Sequence, residues 1–158
     1  TVTVFKVTFR LSGAIASEPV DLTPPYSVDD FLTDPDVESS NEYTTVISYV
    51  DTNQFLADVP WTVSFIGNND GDFILEARET AELTVWLLDR NTALAVTSNN
   101  SIAVMDGGAE GGDGGFDASS TVLKSNGKFT IEINPPRGAV LNLQRTLPSG
   151  LDTVVRID

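Results

Sequence analysis

The stretch Lys128–Thr146, KFTIEINPPRGAVLNLQRT, decides how this chain is read. Phe129, Ile131 and Ile133 point one way and Lys128, Thr130 and Glu132 the other, the period of two of a strand with one buried face. Pro135 and Pro136 end that strand, because neither ring nitrogen donates to a ladder and each ring biases the residue before it towards extended geometry. Gly138 can take the positive φ that a chain reversal needs. After the turn, Ala139, Leu141 and Leu143 alternate with Val140, Asn142 and Gln144. The expectation is a hairpin whose structural turn residues are Pro135, Pro136 and Gly138, with Arg137 exposed at its tip. On this chemistry alone, an ordinary hairpin of any β domain and something more particular both stay open.

Similar short segments run outward from this hairpin. Phe5, Val7, Phe9 and Leu11 alternate with Lys6, Thr8 and Arg10, a strand that Ser12-Gly13 breaks. Glu18–Leu22 begins a second extended segment. Ser27 is placed to cap one turn through Val28, Phe31 and Leu32, so at most a short helix is expected near residues 27–33. Asp29–Glu42 reads as an acidic surface excursion, with Pro35 opposing a long helix. Tyr43–Val50 and Trp61–Ile66 are β-branched and aromatic, with Asp51–Pro60 linking them. After the turn at Asn68–Asp72, Phe73–Leu75 resumes apolar character, and Leu83, Val85 and Leu87 alternate with Glu82, Thr84 and Trp86. One or two short strands are expected within 94–105, and an edge strand over Leu151–Ile157. Many short strands with little helix predict an all-β fold, an antiparallel two-sheet sandwich. A length of 158 residues suits a single domain spanning 1–158.

Twenty-three acidic against nine basic residues give a net charge of -14, which repels phosphate backbones and anionic lipid. Nucleic acid is not an expected partner, and no apolar run approaches the 18 residues of a membrane span. The charge serves solubility, and a salty habitat would screen its self-repulsion. The chain has no cysteine and no histidine, which removes disulfides, thiolate metal sites and every hydrolase arrangement that depends on His. Two carboxylates across a cleft would suffice for glycoside hydrolysis, but nothing singles out a pair. No enzymatic activity and no cofactor are expected.

Three features are candidate sites. Asn68, Asp70 and Asp72 have the alternate spacing of the first ligands of a calcium loop, and Glu79 falls where a bidentate carboxylate would close it. Phe73 occupies the position where the sharp turn needs Gly, so a solvated hairpin turn is the preferred reading over a metal site. Asp106–Gly115, DGGAEGGDGG, lacks the Lys and Ser/Thr of a phosphate cradle and reads as a loop; its acids, Asp106, Glu110 and Asp113, with Asp117 form a weaker metal alternative. Trp61, Trp86, Tyr26, Tyr43 and Tyr49 are candidates for a sugar-stacking platform, although core packing better explains Trp61. Trp86 alternates away from Leu83, Val85 and Leu87, so it is either covered by a second layer or exposed at a contact surface.

The order of these pieces resembles archaellins, the archaeal flagellins. FTIEINPPRGAVLNLQRTLPSGLD (129–152) is similar to their carboxyl-terminal "FTIEVKPPxGAxLxIxRTxP" ending. VFKVTFRLSGAIASEPVDL (4–22) resembles the "vxvkLaaGsxPIDL" strand that leaves their amino-terminal helix, and ARETAELTVWLLD (77–89) resembles their "pGExvxitvdL" stretch. The resemblance implies an immunoglobulin-like β-sandwich, the outer domain of a structural subunit of the archaeal motility filament, the archaellum. On this reading Thr1 falls where the hydrophobic polymerisation helix would hand over to the first strand, so the fragment alone is expected to be monomeric or weakly associating. The implied partners are other copies or related archaellins, and the implied location is the extracellular cell-surface filament. Archaellins are typically N-glycosylated, which makes Asn99, in the only Asn-x-Ser sequon, the expected glycoprotein site. The competing class is a secreted carbohydrate-binding or adhesin-type sandwich, which would present an exposed aromatic patch.

Overall fold

The computed structural model describes residues 4, 6–13, 18–28, 35–37, 42–53, 55–59, 61–87, 123–152 and 154–157, the stretches 26–28 and 35–37 by their backbone. Eleven strands follow in chain order: β1 (Lys6–Ser12), β2 (Val20–Asp21), β3 (Tyr26–Val28), β4 (Pro35–Val37), β5 (Val46–Asp51), β6 (Phe55–Leu56), β7 (Trp61–Ile66), β8 (Ile74–Leu75), β9 (Thr80–Trp86), β10 (Lys128–Asn134) and β11 (Leu141–Thr146). No helix occurs among the described residues.

The fold is an all-β antiparallel sandwich. One sheet has the order β1-β9-β7 and the other β11-β10-β5-β6, with two-stranded ribbons β2-β8 and β3-β4 beside them. Register follows alternation. In the first sheet Phe9, Leu83 and Val63 lie in one cross-strand row, and Leu11, Ala81 and Phe65 in the next. In the second sheet Ile131 sits between Tyr49 and Leu143, and Ile133 between Ile47 and Leu141. These inner faces meet in one apolar cluster closed by Leu22, Val59, Leu75, Leu87, Leu123 and Leu147. Because side-chain direction repeats every two residues, slipping β10 by one would turn Phe129, Ile131 and Ile133 to water and bury Thr130 and Glu132.

Two aromatic side chains fix the layers differently. The Tyr49 ring stacks on Phe129 with centroids 6.2 Å apart, and its hydroxyl donates to Asp51 Oδ2 at 2.7 Å. Burial, together with that hydrogen bond and the negative charge of Asp51, raises the Tyr49 pKa well beyond the ordinary tyrosine range, so the hydroxyl stays a donor. Trp86, on the outer face of the first sheet, is nonetheless 3% exposed. Its indole N–H donates to Thr62 Oγ1 at 3.1 Å, and Lys6 Nζ stands 5.5 Å from its ring.

Several sequence expectations need correction. Ser27 and Val28 belong to β3, opposite Asp36 and Pro35, and not to a helical turn; β pairing with β4 overrides the local capping signal. None of the described residues in Leu151–Ile157 is in a strand. Leu151 and Ile157 reach the core cluster without a ladder, while Val154 is 81% exposed. The link Asp51–Pro60 contains β6, a strand of two residues that offers no alternation to read. Phe31, Leu32, the 94–105 region, Asp106–Gly115, Asp117 and Asn99 lie outside the described residues.

Candidate functional site: a groove between the sheet edges

β1 and β11 are edge strands of different sheets, and at the Ser12 end of β1 the space between them opens as a groove of about 340 Å³. Leu11, Val20, Leu75, Ile133, Ala139 and Leu141 form its apolar walls, and Glu18, Glu76 and Arg137 stand around it.

One wall depends on a close approach of backbones. The Gly13 N–H donates to the Glu79 carbonyl at 3.0 Å, and a Cβ on Gly13 would lie 1.7 Å from the Glu76 carbonyl oxygen, a position only glycine tolerates. The turn it meets is tied twice. Glu79 N–H donates to Glu76 O at 3.2 Å, and Glu76 N–H donates to Glu79 Oε2 at 2.9 Å. Within it Arg78 has φ +71°, although a side chain there is sterically disfavoured.

Behind this wall, β2 pairs with β8, Val20 opposite Leu75, and Leu22 N–H donates to Phe73 O at 2.8 Å. Asp21 fastens the segment. Its carboxylate accepts from Thr23 N–H at 3.0 Å and Thr23 Oγ1 at 2.7 Å on one oxygen, and from Thr44 Oγ1 at 3.0 Å on the other. Thr45 Oγ1 donates to the Asp21 carbonyl. Burial pushes the Asp21 pKa up, but the hydrogen bonds from Thr23 and Thr44 outweigh it and hold the carboxyl below 3.8.

The tail hairpin makes the other wall. Pro135 and Gly138 line the groove, Gly138 has φ +96°, and Arg137 is exposed. The three stretches picked out in the sequence therefore meet here: Leu11, Gly13 and Val20 from the first, Ala77 from the second, and Ile133, Pro135 and Leu141 from the third.

The other candidates are placed differently. Asp70 Oδ1 accepts from Asp72 N–H at 3.3 Å and Asp72 Oδ1 from Ile74 N–H at 2.7 Å, so both carboxylates fold back onto their own turn. Asn69 Oδ1, one residue beyond Asn68, accepts from Gly71 N–H at 2.7 Å. Glu79 is 8% exposed and holds the separate turn at Glu76. Among the described residues no three carboxylates gather as a metal would require. Trp61 and Tyr49 are fully buried, and Trp86 faces away from both, leaving them unable to form one stacking surface. Sequence reasoning read Gly13 only as part of the break after the first strand, and it did not single out Asp21 or the exposed Phe55. Asp21 stood inside a quoted stretch, whereas Phe55 carried no local signal.

The fold is similar to that of an archaeal flagellin. The crystal structure of archaeal flagellin FlaB1 from Methanocaldococcus jannaschii superposes with a TM-score of 0.55, covering 96% of this chain and 83% of that one at 12% identity. No protein-family model matches the sequence, and no curated protein matches it. At 12% identity the likeness is one of fold.

Proposed function

We propose that this chain is the outer domain of a structural subunit of the archaellum, a single sandwich whose work is mechanical rather than catalytic. The observation that carries the reading is the convergence on one groove. Three stretches that resemble archaellins, separated by up to about a hundred residues, build a single feature in a fold shared with an archaeal flagellin. The partners on this reading are other copies of the chain or related archaellins, arranged outside a core of helices, at the cell surface and beyond. Asn99 carries the glycan. Repeated heterologous contacts between identical subunits generate such helical filaments.

The test is antibody labelling of filaments sheared from the source cells, combined with deletion of the gene. The expected result is decoration along the filament and loss or alteration of swimming after deletion. Undecorated filaments together with unchanged swimming would reject the reading.

A further inference from the structure

We infer that Asn126 is a site of spontaneous covalent modification, converting to aspartate and isoaspartate through a cyclic imide, and that the turn holding it sets the rate. No other asparagine in the chain precedes glycine. The reaction needs only water. The Gly127 backbone nitrogen gives up its proton to solvent base and attacks the side-chain amide carbon of Asn126; the new C–N bond closes a ring, the C–NH2 bond of the side chain breaks, and ammonia leaves. Water then adds at one of the two ring carbonyls. One opening gives aspartate, and the other gives isoaspartate, whose main chain runs through the former side chain. Glycine favours ring closure because no Cβ crowds the attacking nitrogen.

Steric demands set these two residues side by side. Asn126 has φ +61°, a left-handed backbone that asparagine adopts more readily than most residues. A Cβ on Gly127 would lie 2.7 Å from Leu123 Cδ1 and 2.7 Å from the Lys124 carbonyl oxygen. The turn thus selects an asparagine-like residue and then a glycine for separate reasons, and the reactive pair results. The Asn126 side chain is exposed, and a hollow of about 200 Å³ lined by Asn53, Lys124 and Lys128 opens beside it, so water reaches the ring.

In the closed turn the nucleophile is occupied. Gly127 N–H donates to Lys124 O at 3.0 Å, and removing its proton would leave an anionic nitrogen facing a carbonyl oxygen. Asn126 N–H donates to Pro148 O at 3.1 Å, and Gly127 O accepts from Leu147 N–H at 2.8 Å, which carries the β10-β11 ladder past the pair Lys128 and Thr146. Ring closure swings the Gly127 nitrogen towards the Asn126 side chain, a movement that these three bonds oppose. Conversion therefore passes through local opening of the turn, and the folded rate is the open-chain rate scaled by the fraction of time the turn is open.

The two products act differently on the fold. Aspartate also tolerates the left-handed backbone and adds one negative charge. Isoaspartate inserts a carbon into the main chain between the N–H that bonds Pro148 and the N–H that bonds Lys124. Those bonds no longer fit together, and the ladder loosens beside Leu123 and Leu147, which are 4% and 6% exposed.

Ageing the full chain at mildly alkaline pH, folded and in guanidinium chloride, tests this, with peptide mass spectrometry reading the mass gain at each asparagine and enzymatic methylation reading isoaspartate. In denaturant, Asn126 is expected to convert ahead of every other asparagine. In the folded chain the same conversion should be slower by roughly tenfold or more. Leu147→Ala, which weakens the packing behind the clamp, should raise the folded rate and leave the denatured rate unchanged; thermal melts check that it folds, and Leu147→Val replaces it if it melts below the ageing temperature. Asn126→Asp should melt with the unaltered chain, and the isolated isoaspartate form should melt lower. Asn126 lagging behind other asparagines in denaturant would overturn the site. Equal folded and denatured rates, or a folded rate indifferent to the Leu147 variants, would overturn control by the turn. An isoaspartate form as stable as Asn126→Asp would overturn the assigned effect on the ladder.

Discussion

Gly13 and Gly138 lie on facing walls of one groove, and each is glycine for a different reason. Gly13 lies outside the left-handed region, but its Cβ would strike the Glu76 carbonyl at 1.7 Å. Gly138 has φ +96°, and a Cβ there would meet nothing within 4 Å. The first glycine is required by a segment sixty-odd residues away, the second by its own backbone. Damage at the first should spread into the packing of both segments, and damage at the second should stay in the turn.

The sharpest break of that contrast is Gly13→Ala. Backbone has to move to admit the methyl group, and overpacking of this kind costs about 3 kcal/mol, a fall in Tm of roughly 6–12 °C for a chain of this size. A loss no greater than at Gly138 would show that the β1 wall yields easily. Next comes Asp21, which secures the segment behind Gly13. Asp21→Asn removes charge-assisted bonds from Thr23 and Thr44 and is expected to cost about 2 kcal/mol at pH 7. The folded-state pKa is depressed, so this contribution is full above about 3.8 and disappears as pH falls through that value and then through the lower folded pKa. Thermal melts at pH 7 and pH 3 should show the gap between the two proteins narrowing at the lower pH.

Gly138→Val tests the other wall, where the strain of a β-branched residue at positive φ should cost roughly 1 kcal/mol with no wider effect on amide exchange. Unchanged thermal stability would deny the turn its left-handed conformation in solution. The smallest effect belongs to Arg78→Gly. Relief at φ +71° is largely offset by the greater freedom glycine gives the unfolded chain, leaving a gain of a few tenths of a kcal/mol. A loss would mean that the Arg78 side chain contributes contacts of its own.

Much of this was legible. Phe129, Ile131 and Ile133 alternate cleanly, and β10 buries them as their spacing demands; Trp61–Ile66 coincides with β7. The positive φ of Gly138 followed from turn chemistry. What escaped was set by pairing and side-chain contacts that alternation and spacing do not encode. Ser27 looked like a helix cap because its partner, Asp36, lies across an acidic stretch without strand character. β6 is too short for a period. The acidic turn offered calcium-like spacing, yet spacing does not reveal that Asp70 and Asp72 bond their own backbone while Glu79 holds another turn. The groove itself could not be read at all, since its walls come together only once β1, β8 and β10 are in place.

The seven-residue pairing of β1 with β9, Lys6 opposite Trp86 through Ser12 opposite Thr80, also governs how the molecule bears tension. Hydrogen bonds of an antiparallel ladder run across the strands. A pull along β1 from its amino-terminal end therefore loads the rungs side by side in shear, rather than opening them one after another as a peeling force would. Lys6 over the Trp86 ring and the Arg10–Glu82 ion pair add side-chain ties along the same seam. A force entering through the start of β1 thus meets the longest ladder among the described strands.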